Sequence, residues 1–192
     1  KVEFLSNRLF VMDVLKRSLY GNVYFTGFGK NKRIVFFDTL LKNLLPSEIE
    51  AVLAHELGHF KKKHIHKMIL FSFLITLISF WILGTLAKNP IFYSSFGLNQ
   101  SSYAALALFT IIFPAITFYL TPLMSNFSRK HEYEADTYAA MMSNAQYLQD
   151  ALVKLYKENA STLTPDPVYS RFYHSHPAAW ERIQYLETLK KK

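Results

Sequence analysis

Apolar residues fall into two long uninterrupted stretches and several short periodic ones, and that contrast organises the chain. Residues 68–87 carry no charged side chain, and neither do residues 89–128. A helix needs about 20 apolar residues to cross a hydrocarbon core of about 30 Å. Two spans are therefore expected, over about 68–87 and over 103–124 ("YAALALFTIIFPAITFYLTPLM"), joined by the connector "NPIFYSSFGLNQSS". Pro114 and Pro122 would break a soluble helix, but neighbouring helices in a membrane can satisfy the carbonyls they free. A soluble chain of this size could hardly surround two such helices on every side.

Outside the spans the periods are shorter. Residues 1–20 suit a loosely amphipathic helix, with Phe4, Leu5, Leu9, Val11, Met12 and Leu15 apolar among charges. Two β-rich runs, Asn22 to Phe28 and Arg33 to Phe37, flank a Gly-Lys-Asn-Lys turn and predict a hairpin. Asp38 or Thr39 then caps a short helix near Leu40 to Leu44. Ser47 followed by Glu50 reads as a capping box that opens a helix through "AVLAHELGHF". After the second span, "SNFSRKHEYEADTYAAMM" and "AQYLQDALVKLYKENA" read as helices. Pro165 and Pro167 mark a loop, and "HPAAWERIQYLETLKKK" a terminal helix. The fold class is mainly α with a small β-hairpin, with a two-helix transmembrane hairpin inserted in a catalytic domain. The division is 1–67, 68–124 and 125–192.

Composition narrows the chemistry. The 192 residues are 51% hydrophobic, carry a net charge of +8 and include no cysteine. Disulfides and thiolate metal sites are excluded, so any metal must be held by His, Asp or Glu. Much of the positive charge flanks the spans: Lys61, Lys62, Lys63 and Lys67 before the first, Arg129 and Lys130 after the second. These are topology determinants rather than a nucleic-acid surface, and they place both chain ends on the cytoplasmic side. The chain opens on Lys1 without a signal sequence, which is expected of a C-terminal fragment preceded by further membrane helices.

The candidate chemistry lies in "HELGH". His55 and His59 are four apart, so on a helix both imidazoles project from one face and can share a zinc ion, with Glu56 beside them as proton acceptor. Gly58, disfavoured inside a helix by about 1 kcal/mol, signals a close approach. A catalytic zinc needs a third protein ligand. His64 and His66 lie off the ligand face. The acidic stretch "SRKHEYEADTY" is the better source: Glu132 and Asp136 share a helix face that offers one ligand and one outer carboxylate, the latter able to accept a ligand imidazole's other N–H. Antiparallel spans would return His59 and Glu132 to one side of the membrane at similar depth.

These residues resemble a known family, the integral-membrane zinc endopeptidases of the CAAX prenyl protease type. The resemblance is carried by "NVYFTGFGKNKRIVFFDTLL", "AVLAHELGHFK", "NFSRKHEYEAD" and "YHSHPAAWERI", in that order. It implies one Zn2+ held by His55, His59 and Glu132, with Glu56 as general base and Asp136 behind the ligands. It further implies His176 as oxyanion stabiliser, Arg182 as support for Glu132, and Asn22 with its following strand as an edge to which an extended substrate adds. The activity implied is hydrolysis of membrane-associated or prenylated proteins by an integral membrane enzyme with a cytoplasmic active site. Its membrane would be the bacterial inner membrane or the eukaryotic endoplasmic reticulum. Two other functions remain open: a heat-shock-type quality-control protease, which shares HExxH, and a non-catalytic module that binds hydrophobic segments.

Overall fold

The computed structural model describes residues 9–13, 23–26, 33–158 and 162–190. Contacts divide the chain into two compact units, one of residues 1–62 with 125–192 and one of residues 63–124.

The first unit opens with a three-stranded sheet: β1 (Leu9–Met12), β2 (Val23–Thr26) and β3 (Arg33–Phe37), in the order β1-β3-β2. β2 and β3 pair antiparallel, Val23 opposite Phe36 and Thr26 opposite Arg33, as the β-rich runs require. β1 pairs parallel to β3, Leu9 opposite Ile34. This corrects the helix expected over residues 1–20: at Leu9–Met12, a parallel partner outweighs a weak helical period. Among the described residues β2 is an edge strand. Asn22, just before it, lies outside the described residues, as does the Gly-Lys-Asn-Lys turn.

Helix α1 (Asp38–Asn43) follows β3 directly, with Phe37 as its N-cap residue and Asp38 its first helical residue. Helix α2 (Pro46–Lys61) starts two residues earlier than the Ser47–Glu50 pair predicts. Pro46 occupies the first turn, and Glu48, not Glu50, accepts the Leu45 N–H at 2.7 Å. Glu48 is buried, and both of its oxygens also receive Lys154 Nζ at 2.7 Å, so the start of α2 is tied to α6 (Ala145–Glu158). The core joins Ile34, Phe36 and Leu40 to Ala51, Val52 and Ala54 of α2, Leu148, Ala151 and Leu152 of α6, and Leu186 of α8 (Ala179–Lys190). Helix α7 (Pro167–Tyr173) falls where the two prolines suggested only a loop. Asp166 caps it by accepting the Tyr169 N–H.

The second unit holds α3 (His64–Leu86), the short α4 (Pro90–Ser94) and the first part of α5 (Ser102–Met142). Both α3 and α5 are long and apolar enough to cross a membrane, and their apolar windows are only 6% and 17% buried. The core helix of a soluble protein would show the reverse. The connector is built: Tyr93 is fully buried against Ala104, Ala105 and Leu108, and its hydroxyl and the Gln100 amide both donate to the Ala87 carbonyl at the end of α3. Helix α5 runs unbroken for 41 residues, about 60 Å, through both prolines. The span and the acidic helix expected after it are therefore one element, and from Ser125 onward it belongs to the first unit.

Candidate metal centre

Helix α2 supplies His55 and His59, one turn apart. Their Nε2 atoms lie 3.1 Å from each other. From α5, Glu132 places Oε2 3.5 Å from His55 Nε2 and Oε1 3.4 Å from His59 Nε2. Among the described residues these three form the group able to hold a metal ion. A tetrahedral ion with bonds of 2.0–2.1 Å needs ligand atoms roughly 3.3 Å apart. The two imidazole nitrogens are close to that edge, each has a different Glu132 oxygen within 3.5 Å, and one ligand atom from each of the three residues lies within 4.8 Å of the others. Two imidazole nitrogens facing each other beside a carboxylate also make electrostatic sense around a shared cation. The donor set, two imidazoles and one carboxylate without thiolate, suits zinc.

The approach of α2 to α5 depends on Gly58. A Cβ there would stand 3.0 Å from the Ala135 Cα and 3.1 Å from the Tyr138 Cβ. The close approach signalled by this glycine is therefore the backbone of the helix that carries Glu132. Ala135 and Ala139 are fully buried and keep that seam thin.

Behind these three residues lies Asp136, fully buried, with Oδ1 2.9 Å from His55 Nδ1. Asp136 thus faces the imidazole of His55 across the seam between α2 and α5. Arg182 of α8 grips Asp136 with two nitrogens, Nε on Oδ2 at 2.8 Å and Nη2 on Oδ1. Its contact with Glu132 is longer, Nη1 to Oε2 at 3.5 Å. Arg182 thus fastens Asp136 first and the Glu132 carboxylate only secondarily. His176 points Nδ1 at Glu132 Oε1 from 3.0 Å while 63% of its side chain is exposed, so it stands at the mouth of the group. Glu56 is partly buried on α2.

The charges are strongly coupled. Burial and the Arg182 charge lower the His55 pKa, but hydrogen bonds with Asp136 and Glu132 outweigh them and it is pushed up to about 9. Burial raises Glu132, yet hydrogen bonds from His176 and His55 and the Arg182 charge hold it well below the usual carboxylate range. Asp136 is likewise held low, its burial offset mainly by the Arg182 charge. Glu56 goes the other way: burial pushes it up, opposed by the charge on His55. Two carboxylates kept ionised beside one poised to take a proton is a division of labour suited to acid–base chemistry.

Sequence reasoning treated Arg129 as a membrane flank, but its side chain is buried and paired with Glu181 of α8. Its position three residues before Glu132 on the same helix face was the available signal. Lys130, the other flank residue, is exposed.

The family model for peptidase family M48 matches residues 1–190. CAAX prenyl protease 1 of Saccharomyces cerevisiae is 41% identical over all of this chain and 46% of its own length. The human CAAX prenyl protease 1 homolog is 31% identical over 98% of the chain and 48% of its own length. Among solved structures, the crystal structure of S. mikatae Ste24p superposes with a TM-score of 0.85 at 38% identity, covering 97% of this chain and 47% of that one. The chain spans just under half the length of these relatives.

Proposed function

Because this chain belongs to peptidase family M48, we propose that it carries the catalytic part of an integral-membrane, zinc-dependent endopeptidase. Its substrates in this reading are membrane-associated proteins of the prenylated CAAX type. The observation that carries the proposal is the convergence of His55, His59 and Glu132, with one ligand atom from each within 4.8 Å of the others and Asp136 against His55 Nδ1. The substrate class rests on the names of the relatives, which favour prenyl processing over heat-shock quality control.

In this reading His55, His59 and Glu132 hold one zinc ion. Bound there, zinc supplies Lewis acidity, which brings the pKa of a coordinated water to about 7 and polarises the scissile carbonyl. The remaining work falls to the chain's own side chains. Asp136 accepts the His55 Nδ1–H, which fixes the tautomer with Nε2 turned to the ligand position. Arg182 neutralises Asp136 and so makes its burial tolerable. Glu56, its carboxyl raised by burial, takes a proton from the attacking water on one oxygen and delivers it to the leaving amine nitrogen. His176, exposed at the mouth, offers an N–H to the charge that develops on the carbonyl oxygen. The edge of β2 away from β3 orients an extended peptide by strand addition, with Asn22 just before it in the sequence. The lipid bilayer brings the apolar end of the substrate to the site. Relatives from yeast and human favour the endoplasmic reticulum membrane over a bacterial one, and the basic residues before the first span favour a site facing the cytoplasm.

The test is chelator-sensitive cleavage of labelled prenylated and unprenylated peptides by detergent-purified protein, comparing wild type with Glu56→Gln at matched zinc content. A fall of about 100- to 10,000-fold in kcat with zinc retained is expected. Equal handling of peptides by both proteins, with no cleavage, would favour a module that holds hydrophobic segments.

A further inference from the structure

Arg129 stands on α5 one turn before Glu132, with an exposure of 6%. Its Nη2 donates to Oε2 of Glu181, and its Nη1 donates to Oγ of the buried Ser170 at 3.3 Å. The same Glu181 oxygen accepts the backbone N–H of Ala178 at 3.0 Å. Ala178 is two residues past His176, and the intervening Pro177 is fully buried with its φ locked by the ring. The Tyr156 hydroxyl reaches the Pro177 carbonyl at 3.5 Å. His176 then returns to α5, its Nδ1 3.0 Å from Glu132. These contacts close a circuit: α5 holds Glu181, Glu181 holds the segment that carries His176, and His176 meets α5 again one turn on.

His176 cannot be kept in place by packing, because most of its side chain is exposed. Its position follows from the backbone that carries it. The Glu181 carboxylate is the one charged anchor of that backbone among the contacts described, and charge-assisted hydrogen bonds are the strong ones. We propose that Arg129 is a positioning residue, which through Glu181 fixes segment 175–178 so that His176 sits against Glu132 and the scissile peptide. This rests on the peptidase reading above. It goes beyond that reading in giving a role to an ion pair outside the ligand group.

The test uses the full-length protein. Arg129→Lys keeps the charge but loses the two-point fork, and Glu181→Gln keeps an acceptor for Ala178 while weakening the pair. The first readout is independent of activity: the rate at which diethylpyrocarbonate modifies His176 in chelator-treated protein, measured by peptide mass spectrometry with His174 as internal reference. A several-fold faster reaction at His176 alone in both variants, with melting temperature and zinc content retained, is expected. The second is a mutant cycle. Arg129→Lys should lower kcat between about 10- and 100-fold with KM held, and should cost less than about twofold in a His176→Ala background. An unchanged His176 rate, or losses that multiply in the double variant, would overturn the proposal and leave the pair as a plain fastening of α8 to α5. If wild type cleaves nothing, the peptidase reading falls, while the modification rates still decide how His176 is held.

Discussion

At the level of single residues, the centre depends on which groups carry protons. Asp136 is fully buried and answers both His55 and Arg182. Asp136→Ala removes both answers at once. Metal affinity should fall about 10- to 100-fold, as for loss of an outer hydrogen-bond partner, and the stranded Arg182 guanidinium should cost about 3–5 kcal/mol of stability. Metal titration and denaturant unfolding would show the two effects separately, and an unchanged affinity would count against the role given to Asp136. The His55 proton predicts a pH dependence. Without metal its pKa is about 9, above the ordinary value of 6.5, so its ion pairs stabilise the folded state fully below 6.5, and that contribution is lost as pH rises through 9. Metal must displace this proton. Apparent zinc affinity should therefore climb about tenfold per pH unit between roughly pH 7 and 9, then level off. A flat profile in calorimetric titrations would mean that His55 binds metal already neutral. The carboxylates were legible in the sequence because spacing puts residues four apart on one helix face. The strength of Arg182's grip on Asp136 was not, since α8 lies far along the chain.

At the level of elements, the seam between α2 and α5 sets the ligand distances. Gly58→Ala would improve the intrinsic helix propensity of α2 by about 1 kcal/mol. It would also press a methyl against Ala135 and Tyr138, where the obstacle is helix backbone and a Cβ rather than a flexible side-chain end. The expected outcome is weaker zinc binding with little loss of thermal stability. Equal affinity would show that the seam can yield by a few tenths of an ångström. The glycine's meaning was half legible: its cost inside a helix signalled an approach, but not what approached. The start of α2 lies two residues before the one its local pattern predicts, because Ser47 and Glu50 match a capping pattern, whereas Pro46 and the buried Glu48–Lys154 pair decide where the helix begins. A cap pattern is local, and an ion pair to α6 is not.

For the whole molecule, two spans and the basic residues around them predict a topology in which Lys62 and Ser95 lie on opposite sides of the membrane. The chain has no cysteine, so single cysteines introduced at these exposed positions can be read without background. In sealed microsomes an impermeant maleimide should label Lys62→Cys directly, and Ser95→Cys only after permeabilisation. Labelling of both from outside would mean that the helices do not cross as a hairpin.

The sequence by itself determined the elements whose signal is short-range: the two apolar helices, the β2–β3 pairing, His55 and His59 one helical turn apart, and Asp136 on the Glu132 face. Each follows from a period or spacing within one element, and backbone geometry fixes those distances wherever the chain goes next. Only the tertiary structure decided what lies between elements. It set β1 parallel to β3, brought the backbone of α5 against Gly58, gave Arg182 to Asp136, and buried Arg129 on Glu181 instead of leaving it at a membrane flank. These are contacts between residues distant in sequence. Their energy comes from shared burial and charge pairing, which no single stretch of sequence contains.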